Sequence, residues 1–579
     1  MASQQNFSPV SAKSREGSVS ERLWLESYPP GVVWDAEFPA RLMGVLLDDA
    51  VAAYGRRPCT YFMGKRLSFI EIGKLSERAA KGLQKIGVGE GVKVGLLLPN
   101  TPTFVVFYYG VLKAGGTVVN FNPLYSVEEI ECQARDSGTK IIVTLDLALT
   151  FDKVEELIER GVLDKTVVAS FPALLPPLKS VGFKIAQRGK LADVSRSPVK
   201  DKIVHERDVL ANDGIFERPD IGTDAIAVLQ YTGGTTGTPK GAMLTHANLS
   251  ANVGQVKAWR TQLGPAEGSV LGVLPLFHVF AMTAVMNLAI SEGLEMILMP
   301  KFELIQTLKL ISKLRPRMMP GVPTLFNAIA RYPHVKNFDL SSLEFCISGG
   351  AALPLDVRRS FEALCTCHLV EGYGLSETSP VATCNPIHCP KDGSIGIPLP
   401  ATDISIRSLD DPHMVMPRGE AGEICVAGPQ VTPGYWKKPQ DTEVSFVGQF
   451  FRTGDVGYMD EDGFVFIVDR IKDMINASGF KVYPRRIEDA LYEHSAVDEV
   501  TVVGIPDEYR GEAPKAFVKL KEGKQATAQE LLQFLRGKLS KIELPAEIEF
   551  RDQLPKTMVG KLSKKELRAE ACAGRTRTG

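Results

Sequence analysis

YTGGTTGTPKGAMLTH, residues 231–246, is the stretch on which the reading of this chain turns. Gly233, Gly234 and Gly237 permit positive φ and close backbone approach, so successive N–H groups can converge on an anion. Thr232, Thr235, Thr236 and Thr238 add hydroxyl donors, and Lys240 adds a positive charge. Such a loop suits a polyphosphate, because hydrogen bonds to an ionised acceptor are shorter and stronger than neutral ones. It is not a Walker A loop: Lys240 follows Pro239 and precedes Gly241, where that motif requires Ser or Thr. Residues 225–231 and 241–244 read as strands on either side. The spacing predicts a loop between two strands, with no helix N-terminus behind it.

Working outward, helical periodicity over residues 42–142 alternates with short apolar runs at 92–98 and 117–120, the pattern of a layered α/β domain. Residues 140–145 give another strand. Strand and helix signals resume at Ala225 and run to about Arg359, and shorter β-like runs with many turns fill residues 394–468. Beyond these, Pro484 opens a helix where its missing N–H costs nothing, residues 497–504 and 513–520 read as strands, and Thr527 with Glu530 and Ser563 with Glu566 are capping-box pairs. The expected fold is α/β: a large N-terminal domain of layered α/β subdomains plus a β-rich subdomain, with a smaller mobile α+β C-terminal domain. Its expected divisions are a disordered N-terminus over 1–20, the large domain over 21–470, the small domain over 471–570 and a tail over 571–579. No internal repeat is present.

At 579 residues the chain exceeds what one hydrophobic core normally organises, and 44% hydrophobic with 23% charged residues is a globular composition. A net charge of -1 supplies no overall field to gather phosphates, which argues against nucleic acid as a partner. The nine cysteines are scattered apart from Cys365 and Cys367, with no metal-ligand spacing, so reduced thiols in a cytoplasmic protein are expected. The N-terminal residues carry no apolar leader stretch. A homodimer is admitted.

Two stretches stand apart. Residues 270–290 are uncharged and long enough to be flagged as a membrane span, but Pro275, His278 and Asn287 favour a buried loop and helix lining an apolar cavity. Residues 170–202 lose periodicity. There Lys179, Lys184, Arg188, Lys190, Arg196, Lys200 and Lys202 face only Asp193 and Asp201, with Phe171, Leu174, Leu175, Leu178, Val181, Phe183 and Ile185 interleaved. Two readings are open: a solvated linker, or peripheral contact with an anionic membrane surface, the inner face of the cytoplasmic membrane, through Lys179 to Lys202.

Further strings recur in order: PLFHVF (275–280), SGGAAL (348–353), EGYGLSET (371–378), FRTGD (451–455), DRIKDMINASGFKVYPRRIE (469–488) and PKTMVGKLSKKELR (555–568). Tyr373 offers a flat face for a purine, Ser376 a donor for a phosphate, and Glu377 a hard oxygen ligand suited to Mg²⁺. Taken alone, Glu377 after a turn also reads as a helix-cap partner, and Asp455 in RTGD as a turn former.

With residues 231–246, these strings resemble the signatures of the adenylate-forming superfamily of acyl-CoA synthetases, luciferases and peptide-synthetase adenylation domains, over about residues 21–570. The strings LQYTGGTTG, AMLTHANL and SGFKVYP are most similar to bacterial long-chain fatty acid:CoA ligases. The resemblance implies ATP held by Thr232, Gly233, Gly234, Thr235, Thr236, Gly237, Lys240, Gly349, Gly350, Ala351, Glu371, Gly372, Tyr373, Gly374, Ser376, Asp455 and Arg470, with the last two at the ribose. It implies Mg²⁺ on Glu377, catalysis by Lys561, Glu377 and Thr232, a hinge at Lys472, and coenzyme A passing Gly479. For the fatty acid it implies Phe277, His278 and Gly321, with His278 either a gate or carboxylate neighbour, or a satisfied core histidine. The expected reaction joins a medium- to long-chain fatty acid to CoA through an acyl-adenylate, releasing AMP and pyrophosphate. An aryl or other carboxylic acid:CoA ligase is the alternative, and a non-catalytic lipid-binding scaffold a remoter one.

Overall fold

The structure, a computed structural model, describes residues 22–232, 239–261, 267–478, 480–507, 509–556 and 562–575. Its first large sheet has seven strands in the spatial order Ile203–His205, Lys165–Ala169, Ile141–Leu145, Lys93–Leu96, Thr117–Asn120, Ile226–Thr232 and Lys240–Thr245. All neighbours are parallel except the last pair, an antiparallel hairpin. That hairpin is the strand–loop–strand expected from residues 225–244, with Thr232 and Lys240 as register partners at the loop's base.

A second sheet of nine strands runs Ile397–Pro398, Val381–Cys384, His368–Gly374, Phe345–Ser348, Met318–Gly321, Ser269–Gly272, Glu295–Leu298, Pro58–Phe62 and Lys65–Ser68. It is parallel from His368–Gly374 to Pro58–Phe62 and antiparallel at both ends. Parallel strands need cover on both faces, which explains why their runs are continuously apolar. The helix Pro102–Lys113 supplies cover so completely that every one of its residues is buried. The helix Phe69–Lys85 packs against it and starts in a reciprocal Ser68–Glu71 capping box, a feature that contributes about 1 kcal/mol.

Antiparallel strands Asp403–Arg407, Gly422–Ala427, Phe450–Met459, Phe446–Val447 and Val465–Arg470 form the β-rich part. The C-terminal sheet comprises Phe480–Val482, Ile475–Ala477, Gly511–Leu520, Val497–Asp507 and Glu547–Phe550, with the helices Pro484–Tyr492 and Ala528–Arg536 closing its own core. Pro484 does open its helix, and Thr527 with Glu530 forms the expected capping box.

Residues 270–290 are interior. Ser269–Gly272 is a strand, and Val279–Ala281, a π-helical Met282–Asn287 and Leu288–Glu292 follow as one buried helical run. Among the described residues no helix is long and apolar enough to cross a membrane. The reading of residues 170–202 as patternless needs correction: Pro177–Ala186 is a helix with Pro177 in its first turn, followed by three short 3₁₀ turns.

Candidate active site

The second sheet ends in two glycine-bearing turns that lie side by side. Strand Phe345–Ser348 runs into Gly349 and Gly350, the latter at φ +80°, and is parallel to His368–Gly374 with Ser348 opposite Glu371. A Cβ at Gly374 would lie 1.8 Å from the Pro380 carbonyl oxygen, and one at Gly372 would meet Ile347 at 2.8 Å. Gly374 is therefore demanded by the close approach of neighbouring backbone, whereas at Gly372 it is the tip of the Ile347 side chain that fills the space. Gly349 leaves room for the Phe280 ring, which a Cβ would meet at 3.0 Å.

Across from these turns the β-rich sheet presents Asp455, register partner of Arg470 and 2% exposed. Arg470 Nε lies 3.0 Å from Asp455 Oδ1, and Tyr373 Oη donates to Asp455 Oδ2 at 2.6 Å. The carboxylate's two oxygens are thus each fixed by a separate group. A diol entering here would meet an oriented acceptor, because Asp455 cannot rotate without giving up one of these bonds.

Glu377 sits in the 3₁₀ turn Ser376–Thr378, is 7% exposed, and accepts a hydrogen bond from Tyr435 Oη at 2.8 Å. Burial raises its pKa above the ordinary carboxylate value, and the Tyr435 hydroxyl works the other way. Lys240 Nζ donates to Asp441 Oδ1 at 2.7 Å and lies 5.4 Å from the Tyr435 ring centroid. Tyr435 thus touches both the candidate metal ligand and the candidate phosphate cation. Its backbone is pinned in turn: Met243 N donates to Gly434 O at 3.0 Å, Trp436 N to Gly241 O at 2.8 Å, and Thr432 N to Glu377 O at 2.7 Å. Tyr435 and Asp441 escaped the sequence reading. The only signal was an aromatic pair, Tyr435 and Trp436, after a Gly/Pro-rich turn.

Among the described residues no group of three or more His, Cys, Asp or Glu could cage a metal. A lone, almost water-free carboxylate fits Mg²⁺, which takes one or two protein carboxylates and completes its shell with phosphate oxygens and water.

Glu371, in the middle of strand His368–Gly374, is buried, and desolvation pushes it up to about 7 against the pull of Arg485 and the Leu353 N–H. It lines a small cleft with Leu353, Arg358, Asn385 and Lys391. Lys472 is exposed in the turn joining Val465–Arg470 to Ile475–Ala477. Gly233, Gly234, Thr235, Thr236, Gly237, Gly479 and Lys561 lie outside the described residues.

On the acyl side, Gln230 Nε2 donates to Phe277 O at 3.2 Å, which ties the phosphate-loop strand to the PLFHVF turn. His278 Nδ1 accepts from Phe280 N at 3.3 Å and caps the helical run behind it. Gly321 faces the buried Phe326 ring, 2.8 Å from where a Cβ would stand, and its backbone carbonyl accepts from Gly349 N at 3.1 Å.

Residues 47–436 match the model of the AMP-binding enzyme family, and residues 486–561 that of the AMP-binding enzyme C-terminal domain. This chain belongs to the AMP-binding enzymes. A long-chain-fatty-acid–CoA ligase of Bacillus subtilis (strain 168) is 42% identical over 95% of this chain and 98% of its own. One from Salmonella typhimurium is 38% identical over 95% and 98%. Among solved structures, O-succinylbenzoate coenzyme A synthetase of Bacillus subtilis, in complex with ATP and a magnesium ion, superposes with a TM-score of 0.74 at 25% identity, covering 91% of this chain and 98% of that one. Membership also makes sense of the spacing: Tyr373, Asp455 and Arg470, which three separate signatures carry, meet within about 3 Å.

Proposed function

We infer that this protein joins medium- to long-chain fatty acids to coenzyme A at the expense of ATP, through an enzyme-bound acyl-adenylate. The observation that supports the reading is that Tyr373, Asp455 and Arg470 cluster, that the charges of Asp455 and Arg470 reach Glu377, and that Tyr435 joins Glu377 to Lys240. Near-full-length similarity to fatty-acid ligases supports the substrate class.

In the first step a carboxylate oxygen of the acid attacks the α-phosphorus of ATP, the bond to the bridging oxygen breaks, and pyrophosphate leaves. Two anions must approach, so cations are needed where charge accumulates. Lys240 and the 232–238 loop hold the leaving phosphates, with Asp441 surrendering Lys240 as ATP enters. Asp455 and Arg470 fix the ribose, and Tyr373 and the Gly349–Gly350–Ala351 turn receive the adenine, with Ser376 at the α-phosphate. Glu377 would hold Mg²⁺, whose charge would neutralise the phosphates. Lys561 stabilises the charge developing on the transferred phosphoryl group. In the second step the CoA sulfur attacks the acyl carbonyl, the anhydride C–O bond breaks, and AMP departs. Rotation of the C-terminal domain, divided from the large domain at about residue 470 and turning on Lys472, exchanges Lys561 for the Gly479 face. Phe277, His278 and Gly321 border the acyl chain.

The cytoplasm is the proposed location, with contact to the inner face of its membrane through Lys179 to Lys202; cell fractionation reads both. Homodimer formation is checked by light scattering.

The test supplies ATP, Mg²⁺ and CoA with palmitate, octanoate, benzoate or cinnamate, and follows AMP, pyrophosphate and acyl-CoA. Aliphatic acids are expected to win. Benzoate or cinnamate ahead of them would make the protein an aryl ligase, and silence across all four would overturn adenylation. Lys561→Ala is expected to abolish pyrophosphate release while leaving thioester formation from preformed acyl-AMP; equal loss of both would overturn the assigned division of labour.

A further inference from the structure

The helix Pro177–Ala186 has no buried residue, and three of its apolar side chains stand in solvent: Leu178 is 91% exposed, Val181 58% and Ile185 76%. At 100° per residue these positions fall within about 60° of one another, so they form one face. The opposite face is tied down. The Phe183 and Phe171 ring centroids are 4.9 Å apart, and Lys179 Nζ donates to the Met63 carbonyl at 2.8 Å. The anchoring fixes which side looks outward. Beside it, the turn between Pro58–Phe62 and Lys65–Ser68 raises Met63, 40% exposed, next to Lys179.

The surroundings are basic. Lys179, Lys184, Arg188, Lys190, Arg196, Lys200 and Lys202 are all exposed, against Asp193 and Asp201. Asp193 is 3.5 Å from Arg196 and Asp146 lies within reach of the Lys184 charge, so the cationic excess rests on the remaining cations, Arg188 and Lys190 among them. Three apolar side chains on one line, with cations flanking and following them, match the geometry of an interfacial helix. Its apolar face enters the acyl boundary while lysine and arginine heads stay among anionic headgroups. A protein partner of ordinary polarity would not require this excess of one sign, and a second copy of this basic patch would repel it.

We propose that the exposed face of helix Pro177–Ala186, made by Leu178, Val181 and Ile185 and ringed by Lys184 and Arg188, is a docking element for an anionic lipid bilayer. The proposal deepens the fatty-acid ligase reading and rests on it for its purpose. A long-chain acid partitions into the membrane, so an enzyme resting there meets substrate at a concentration that water cannot hold. A ten-residue helix with three apolar contacts gives reversible contact in place of permanent anchoring.

The experiment is co-sedimentation of the full-length protein with sucrose-loaded vesicles, either phosphatidylcholine alone or phosphatidylcholine mixed with phosphatidylglycerol. Binding is expected to the mixed vesicles, to weaken as salt is raised, and to fall about tenfold in the triple variant Leu178→Ser, Val181→Ser, Ile185→Ser. Lys184→Glu with Arg188→Glu is expected to lose the preference for phosphatidylglycerol. Because all these side chains are exposed, the variants keep their circular dichroism spectrum and their turnover of octanoate in vesicle-free buffer. Wild-type protein that stays in the supernatant overturns the proposal. So does a triple variant that sediments as wild type does, or a wild-type dimer that the triple variant dissolves into monomers without any change in lipid binding. Failure of the ligase reading looks different: no AMP from any acid in vesicle-free buffer, whatever the sedimentation shows.

Discussion

Asp455 and Glu377 are both carboxylates almost sealed from water at the rim of one site, and they are held in opposite ways. Asp455 is gripped at both oxygens, by Arg470 and by Tyr373. Glu377 is held by neutral donors, the Tyr435 hydroxyl and its own backbone N–H, with Arg470 acting only through its charge, and its ionised form is disfavoured by burial. The first arrangement keeps an acceptor oriented; the second leaves a buried carboxylate whose largest influence is the desolvation that a bound cation would offset. A ribose needs the former and a divalent ion rewards the latter.

The comparison breaks or sharpens in four measurements. Asp455→Asn is expected to have the largest effect, about a 10²-fold rise in KM for ATP, since charge-assisted hydrogen bonds contribute roughly 1.5–3 kcal/mol each and two are weakened. It also lowers stability, by about 1 kcal/mol, the half-exposed Arg470 limiting the loss. Glu377→Gln is expected to raise the Mg²⁺ concentration for half-maximal rate about tenfold, with partial rescue by excess Mg²⁺. Unlike the first variant it leaves the melting temperature at neutral pH unchanged or higher, because it removes a charge that burial already penalises. Equal destabilisation by both substitutions would erase the distinction drawn here.

Tyr435→Phe is a smaller perturbation, about threefold to tenfold in kcat/KM for ATP·Mg²⁺, the range of one ordinary hydrogen bond. Its signature is in the pH profile. Loss of a donor that lowers the Glu377 pKa moves the acid limb of kcat/KM to higher pH; an unmoved limb would show that Tyr435 does not act on Glu377. The smallest effect on activity is expected from Glu371→Gln, which is read by stability. Glu371 is raised in the folded state to about 7, so the native protein binds a proton that the unfolded chain releases. Its contribution is present below the ordinary carboxylate pKa and lost as pH rises through 7, up to about 3 kcal/mol across that window. Chemical denaturation at pH 5 and pH 8 should show a gap that narrows in the glutamine variant.

Much of this was legible beforehand because it is local. The antiparallel hairpin about the Gly/Thr loop, the helix opened by Pro484 and the Thr527–Glu530 capping box each depend on residues a few positions apart. Asp455 and Arg470 could be named from their strings, yet their pairing through strand register could not. Asp441 lies 201 residues from Lys240, and nothing in the local pattern announces it. Tyr435 was hidden for a related reason: a tyrosine in a Gly/Pro-rich turn has no periodicity to reveal which way it faces. Helix Pro177–Ala186 was missed differently. Pro172, Pro176 and Pro177 read as a break, although a proline at the first helical position begins helices, and the outward apolar face blurs the usual amphipathic signal.

The crowding at Gly374 bears on how damage to this protein will present itself. With the Pro380 carbonyl oxygen standing where any β-carbon would go, every replacement must push two strands apart before it can alter a nucleotide contact. A survey of random variants ranked by turnover will therefore leave position 374 blank. The harm will be found in the pellet, among chains that never reached the form in which a rate can be measured.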